Sequence, residues 1–354
     1  MDLPFSYDKI ASGKNLLCRD KEIDAIVSSL LKQRSVAVCG APKTGKESVV
    51  RAALDKLTSK RLNYILCEID LCSIRSYGDL IETIKDSIVN VFKEINRFAI
   101  LPFEIETSGL SDKKILDLPE IISMETSRPM IVYFKNFQNI LAIEDSSFDI
   151  GEIEKIWSRH KSARYIFTGA FINMMKYIFL EKKYFYFMTD TVTLPPVEAK
   201  YLIDYIVSAF LNTGRVIEQE QAAQIASFTG CNPWLAKRLC SICMSFPIGY
   251  VNRNIVEQAE GILLSINTPR YMQTMLDLTQ NQINFLRAVL DKVQRFSSAD
   301  ILEKYRLNSS ANVFRLKDAL KKKEIVTFDQ NDVAHIIDPL FEYWLKNNYF
   351  KKQQ

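Results

Sequence analysis

Histidine is almost missing from this chain: His160 and His335 are the only two among 354 residues. That excludes histidine-rich metal sites and leaves histidine acid–base chemistry poorly supplied. The seven cysteines are an odd number, which argues for reduced thiols and against a disulfide framework. Cys240 and Cys243 form a C-x-x-C, but no second such pair and no nearby histidine pair completes a zinc site. Their spacing fits two small core residues one helical turn apart. No apolar run approaches the roughly 18 residues that a membrane span needs. The opening MDLPFSYDK lacks the charged-then-apolar pattern of a secretory signal. Internal repeats and low-complexity tracts are missing too. A net charge of +4 does not mark a nucleic-acid binder, so any basic patch must be local. These absences lead to the expectation of a soluble, cytoplasmic protein without membrane contact.

What is present is enough apolar residue, 47% of the chain, for two or three cores. Apolar runs at 35–39, 63–71, 130–134 and 163–169 read as strands, the run at 185–194 ends in a fifth, and helical patterns near 21–33, 46–57 and 77–96 lie between or before them. Buried strands alternating with helices imply an α/β fold with a parallel sheet covered on both faces. Residues 98–114 read as an irregular surface insertion. After Pro195 and Pro196 the strands stop. Four amphipathic helical patterns follow, at 197–211, 217–228, 233–246 and 253–265, and a linker is expected around Asn267, Thr268 and Pro269. Three further helical patterns and a hairpin turning at Gln330, Asn331 and Asp332 give the order of a winged helix-turn-helix. The expected domains are 1–195, 196–270 and 271–354.

Residues 40–48 read GAPKTGKES, directly after the apolar run SVAVC. G-x-x-x-x-G-K followed by Ser or Thr is a phosphate loop, whose backbone N–H groups and following helix N-terminus point at phosphates. Gly40, Gly45 and Lys46 are in place, with Lys43 and Thr44 inside the loop, and Lys46 is expected to reach the terminal phosphates. The hydroxyl position, a magnesium ligand in such loops, holds Glu47 instead. Ser48 carries a hydroxyl one residue late, rotated by roughly 100° around the helix and so turned away from the phosphates.

The chain resembles the archaeal-type ATPases of the AAA+/STAND group of P-loop NTPases over nearly its whole length. Leu17-Cys18-Arg19-Asp20-Lys21-Glu22 resembles the entry motif of that family, and Phe137-Gln138 the end of its D-E-F-Q strand motif. Phe167-Thr168-Gly169-Ala170 resembles its sensor strand, Thr229-Gly230-Cys231-Asn232-Pro233 its G-x-P lid motif, and Ile336-Ile337-Asp338-Pro339-Leu340-Phe341 its closing D-P-L-F segment. The resemblance implies a P-loop sheet in the order 5-1-4-3-2, a helical lid, a winged-helix domain and a bound ATP or ADP. It assigns Arg19 to the base or ribose edge, where the alternative is a surface ion pair with Asp20 or Glu22. It sets Pro233 over the adenine, which is compatible with Asn232 and Pro233 simply starting a helix.

The family's metal-binding strand ends in Asp-Glu, whereas this one ends in Lys135-Asn136. An ammonium repels magnesium, and a neutral amide has no useful proton affinity near neutral pH. The metal hydroxyl, the metal carboxylate and the water-positioning carboxylate are all replaced, so hydrolysis is expected to be weak or absent and magnesium is not expected as a cofactor. Glu47 and Lys135 stand at the two positions that would face the metal. Either they form an ion pair in that space, or both drift in solvent. Asp70 and the weaker candidate Glu68 read as capping or solvated carboxylates rather than replacement metal ligands. Arg159 and Arg164 are candidates for an arginine supplied to a neighbouring subunit, against a plain surface role.

In the last domain, Arg315, Lys317, Lys321, Lys322 and Lys323 make residues 309–323 a candidate DNA-binding helix, with Phe314, Leu316 and Leu320 as its core positions. From residue 275 onward there are thirteen basic and ten acidic residues, a net +3 that fits a protein-docking module equally well. Tyr343 and Trp344 are expected to pack internally. Three function classes follow: a nucleotide-dependent switch or scaffold, a nucleotide-free pseudo-ATPase that binds a protein partner or itself, and a DNA-binding regulator.

Overall fold

The structure, a computed structural model, describes residues 5–98, 109–145 and 148–351, apart from the side chains of Lys14, Arg97 and Phe98. The chain divides into two compact units, residues 19–40 with 46–194, and residues 1–18 and 41–45 with 195–354.

The first unit is a five-stranded parallel sheet, β1 (Ser35–Gly40), β2 (Ile65–Asp70), β3 (Met130–Lys135), β4 (Arg164–Thr168) and β5 (Thr189–Leu194). Its spatial order is β2-β3-β4-β1-β5, which is the expected 5-1-4-3-2 read from the other edge. Every residue of β1 is buried, as a central strand covered on both faces requires. Six helices accompany the sheet: α1 (Asp20–Leu31), α2 (Lys46–Ser59), α3 (Tyr77–Phe98), α4 (Asp112–Thr126), α5 (Ile150–Trp157) and α6 (Ile172–Lys176). One face carries an aromatic stack in which Phe134, Trp157, Tyr165 and Phe167 lie nearly parallel. The insertion read at 98–114 is shorter than expected. Helix α3 extends to Phe98, Ser111 caps α4 by accepting from the Lys114 N–H, and residues 99–108 lie outside the described ones. The fifth strand begins at Thr189, because Phe185 takes a left-handed φ of 62° in the turn before it.

The second unit holds α7 (Ala199–Leu211), β6 (Val216–Ile217), α8 (Gln219–Phe228), α9 (Pro233–Met244), β7 (Tyr250–Val251) and α10 (Arg253–Leu276). The short parallel pair β6–β7 has no counterpart in the sequence reading. Then come α11 (Gln280–Leu290), α12 (Ala299–Lys304), α13 (Ser310–Lys322), β8 (Val326–Phe328), β9 (Ala334–Ile336) and α14 (Pro339–Trp344). The three helices and the antiparallel β8–β9 hairpin form the expected winged helix. The linker around Pro269 is not there. Helix α10 runs straight through it, with Asn267 Nδ2 and Thr268 Oγ1 donating to the Leu263 and Leu264 carbonyls. Tyr271 and Met275, buried beyond the proline, continue the packed face, and tertiary burial outweighs the helix-breaking tendency of proline. One hydrophobic core runs from Leu202 in α7 to Trp344 in α14.

Phe314 is not a core residue: it is 75% exposed, and Val313 takes its place beside Leu316 and Leu320. Trp344 packs internally as expected, while Tyr343 lies edge-on to Phe228 and stays partly exposed. Cys240 and Cys243 are buried free thiols, and among the described residues no cluster of metal-ligating side chains exists.

Candidate nucleotide site

The sequence Gly40 to Lys46 forms the expected strand–loop–helix connection between β1 and α2. Gly45 adopts a φ of 89° and Lys43 a φ of 63°. Glycine tolerates this region freely, whereas lysine adopts it at some cost. The Thr44 hydroxyl donates back to the Ala41 carbonyl at 2.9 Å and closes the loop on itself. Lys46 Nζ donates to the Gly40 carbonyl at 2.9 Å. Ser48 is buried in α2, consistent with its one-residue offset.

At the tips of β2 and β3 the structure settles the relation of Glu47 to Lys135. Lys135 Nζ lies 2.7 Å from Glu47 Oε1, a direct ion pair. The same ammonium lies 3.0 Å from Glu68 Oε2, and Glu68 is held in turn by Arg51 at 2.5 Å. Four charges thus alternate in one chain, Glu47–Lys135–Glu68–Arg51. The reason is local geometry. Glu47 and Arg51 share a face of α2 at i,i+4, and β2 pairs with β3 so that Glu68 opposes Tyr133 and Asp70 opposes Lys135. Burial alone would lower the Lys135 pKa, but its bonds to Glu47 and Glu68 outweigh this and hold it above the ordinary lysine value. Burial would likewise raise Glu68, yet hydrogen bonds from Arg51 and Lys135 bring it below the ordinary glutamate range. Glu47 also sits in the first turn of α2, where the helix dipole favours a carboxylate.

These residues do not fit magnesium. The ion needs oxygen ligands in octahedral array, and here a cation already neutralises both nearby carboxylates. Asp70 is no replacement ligand. It accepts from the Cys72 N–H at 2.9 Å and from Asn136 Nδ2 at 2.8 Å, the capping role read as its alternative. Asn136 takes a φ of 54°, a conformation that asparagine tolerates better than most residues. Thr168 at the end of β4 is buried, and its hydroxyl lies 3.3 Å from both the Phe134 carbonyl and Tyr133 Oη, with one proton to share between them. Sequence reasoning missed Glu68 as a bridging partner and Arg51 altogether. The signal was available in the i,i+4 spacing of Glu47 and Arg51.

Arg19 is buried and pairs with Glu22 at 3.2 Å, so its ion pair exists but is not a surface one. Arg164 is buried at the start of β4 and cannot be offered to a neighbouring subunit, and Arg159 is exposed.

In the second unit, Asn232 caps α9 by accepting from the Trp234 and Leu235 N–H groups, with Pro233 in the first turn, as expected of a helix start. Asn232 Nδ2 also donates to the Pro42 carbonyl at 3.3 Å, and Lys43 Nζ sits 3.4 Å from the centre of the Trp234 ring. Burial is the main cause of a lowered Lys43 pKa, reinforced by Arg270 and Arg238. Gly230 has a φ of 56°, and a Cβ there would lie 2.6 Å from Pro339 Cβ, so the G-x-P and D-P-L-F segments require glycine where they meet.

Residues 269–347 match a family model described as "Probable winged helix domain". No curated protein matches the chain. Among solved structures, the Walker-type ATPase PABY2304 of Pyrococcus abyssi superposes with a TM-score of 0.73 at 14% identity, covering 97% of this chain and 99% of that one. The Aeropyrum pernix ORC2 protein, in its ADPNP-ADP complexes, superposes with a TM-score of 0.60 at 12% identity, covering 99% and 98%. Its ADP form gives 0.59 at 11%, covering 99% and 97%. At such identities the likeness is one of fold. The chain shares the fold of these structures: a parallel sheet in the order 5-1-4-3-2, followed by helices and a C-terminal winged helix.

Proposed function

We propose that the chain is a nucleotide-dependent switch or scaffold of AAA+/STAND type, which binds ATP or ADP without magnesium and hydrolyses it slowly or not at all. The observation that supports this reading is the 2.7 Å Lys135–Glu47 pair, between the two positions that in such sites would face the metal. Phosphoryl transfer in P-loop proteins rests on the metal and on a group that positions water. Lys135 and Asn136 supply neither. What remains is the loop backbone, the helix N-terminus and Lys46, which suffice to hold phosphates. The Aeropyrum fold relative was solved with ADPNP and ADP, which supports nucleotide binding here.

Isothermal titration with ATP in EDTA and in magnesium tests the proposal. Binding of similar strength in both buffers, lost in Lys46→Ala, is expected, with no multiple-turnover hydrolysis. Magnesium-dependent turnover at ordinary ATPase rates would overturn it.

A second reading, a pseudo-ATPase that binds no nucleotide, is favoured by the engagement of both loop lysines, Lys46 with the Gly40 carbonyl and Lys43 with Trp234. Absence of heat in both buffers would select it. The DNA reading has less support. On α13, Lys317 pairs with Asp332, Lys322 pairs with Asp318 at 2.9 Å, and Lys323 donates to the Asp277 carbonyl. These internal bonds, and exposed Phe314 on the same helix, favour a protein as the winged-helix partner.

A further inference from the structure

The turn before edge strand β5 carries a feature that the nucleotide site does not use. Tyr186 and Phe187 stand out from the surface, 57% and 85% exposed, with their rings edge to face at 5.5 Å. Lys182 and Lys183 precede them, exposed. Lys182 Nζ lies 5.5 Å from the Tyr177 ring and Lys183 Nζ 5.7 Å from the Tyr186 ring, and among the described residues neither has a carboxylate partner. Beside them opens a cavity of about 470 Å³, with Arg34 and Thr189 in its wall. The Thr189 hydroxyl is buried without a hydrogen-bond partner.

We propose that this patch binds single-stranded nucleic acid, with unpaired bases stacking on Tyr186 and Phe187 and phosphates meeting Lys182 and Lys183. Exposed aromatic faces interleaved with unpaired cations are the combination that single strands require, because every base offers a π-face and every linkage a negative charge. An extended peptide adding to the sheet edge fits less well at the aromatic tip. There the Phe187 carbonyl already accepts from Arg34 Nη1 at 3.0 Å and the Met188 carbonyl from the Ser35 N–H at 2.8 Å, so neither is free to pair. Insertion into a lipid surface fits less well too, because the cavity wall holds the Arg34–Asp190 ion pair and threonine hydroxyls. The proposal is independent of nucleotide binding at the phosphate loop.

Fluorescence anisotropy of a fluorescein-labelled dT20 with the full chain tests it. The labelled strand is expected to bind, more weakly as salt rises. The double variant Tyr186→Ala, Phe187→Ala should weaken binding by about tenfold or more. Lys182→Glu, Lys183→Glu should also weaken it and make the log–log salt slope shallower by about 1.4. All four side chains are exposed, so melting temperatures should stay near the parent value, which separates lost binding from lost folding. No anisotropy change with dT20, or binding that persists unchanged in the aromatic variant, would overturn the proposal.

Discussion

At the scale of single residues, the decisive position is Lys135. Its ammonium is shared by two carboxylates, and removing it leaves Glu47 and Glu68 facing each other with one cation, Arg51, between them and neutrality. Lys135→Ala is expected to destabilise the chain by about 1–2 kcal/mol at pH 7, with the pairs partly screened by solvent. The pH dependence has a definite sign. Glu68 has a folded pKa below its ordinary 4.5, so its contribution is full above that value and is lost as pH falls through the folded one. Lys135 has a folded pKa above its ordinary 10.5, so its contribution is full below 10.5 and is lost as pH rises through the folded value. Urea denaturation of parent and variant at pH 7 and near pH 3 checks this: the difference should shrink in acid. An equal difference at both pH values would mean that the network contributes no charge-dependent stability. The Glu47–Lys135 half of this network was legible because both residues replace groups that face one metal. For Arg51 the i,i+4 spacing from Glu47 gave a signal, but the bridging place of Glu68 was not legible, since it depends on how β2 lies between α2 and β3, which no local pattern encodes.

At the scale of elements, hydrophobic periodicity identified the five strands of the parallel sheet and ten of the helices, passed over α4, α5 and α6, and misplaced some side chains on the faces it did find. In α13 the sequence reading placed Phe314, Leu316 and Leu320 in the core. The structure buries Val313, Leu316 and Leu320, an i, i+3, i+7 stripe, and leaves Phe314 in solvent. Leu320→Ala is therefore expected to cost about 2–5 kcal/mol and Phe314→Ala less than about 0.5 kcal/mol, read from urea midpoints of the full chain. Comparable losses would place Phe314 in the core after all. Helix α10 shows the opposite failure. Asn267, Thr268 and Pro269 are each poor helix formers, so local propensity predicted a linker. Burial of Tyr271 and Met275 on the same face as Leu263 carried the helix through, a long-range effect that propensity cannot report.

At the scale of the whole molecule, folding and ligand binding share one equilibrium: a ligand held only by the folded chain stabilises it, by about 2.7 kcal/mol at a hundredfold excess over Kd, and so raises its melting temperature. On the proposed reading, ATP in EDTA and ATP in magnesium are expected to raise the melting temperature of the parent chain equally, because the Glu47–Lys135 pair leaves no free oxygen ligand for the ion there. Replacing the cation and its partner by metal-binding groups, Glu47→Ser with Lys135→Asp, should break that equality. The added hydroxyl and carboxylate are hard oxygen ligands, while Glu68 keeps Arg51 as its cation. Magnesium should then add to the ATP-dependent rise, by an amount corresponding to about tenfold in affinity. Turnover should nevertheless stay near zero. Asn136 is unchanged and, donating to Asp70 from a left-handed backbone, offers no base to the attacking water. A double variant indifferent to magnesium would show that these two positions do not face a common metal-sized space. A double variant that turns over rapidly would show that the water-positioning group lies elsewhere in the chain.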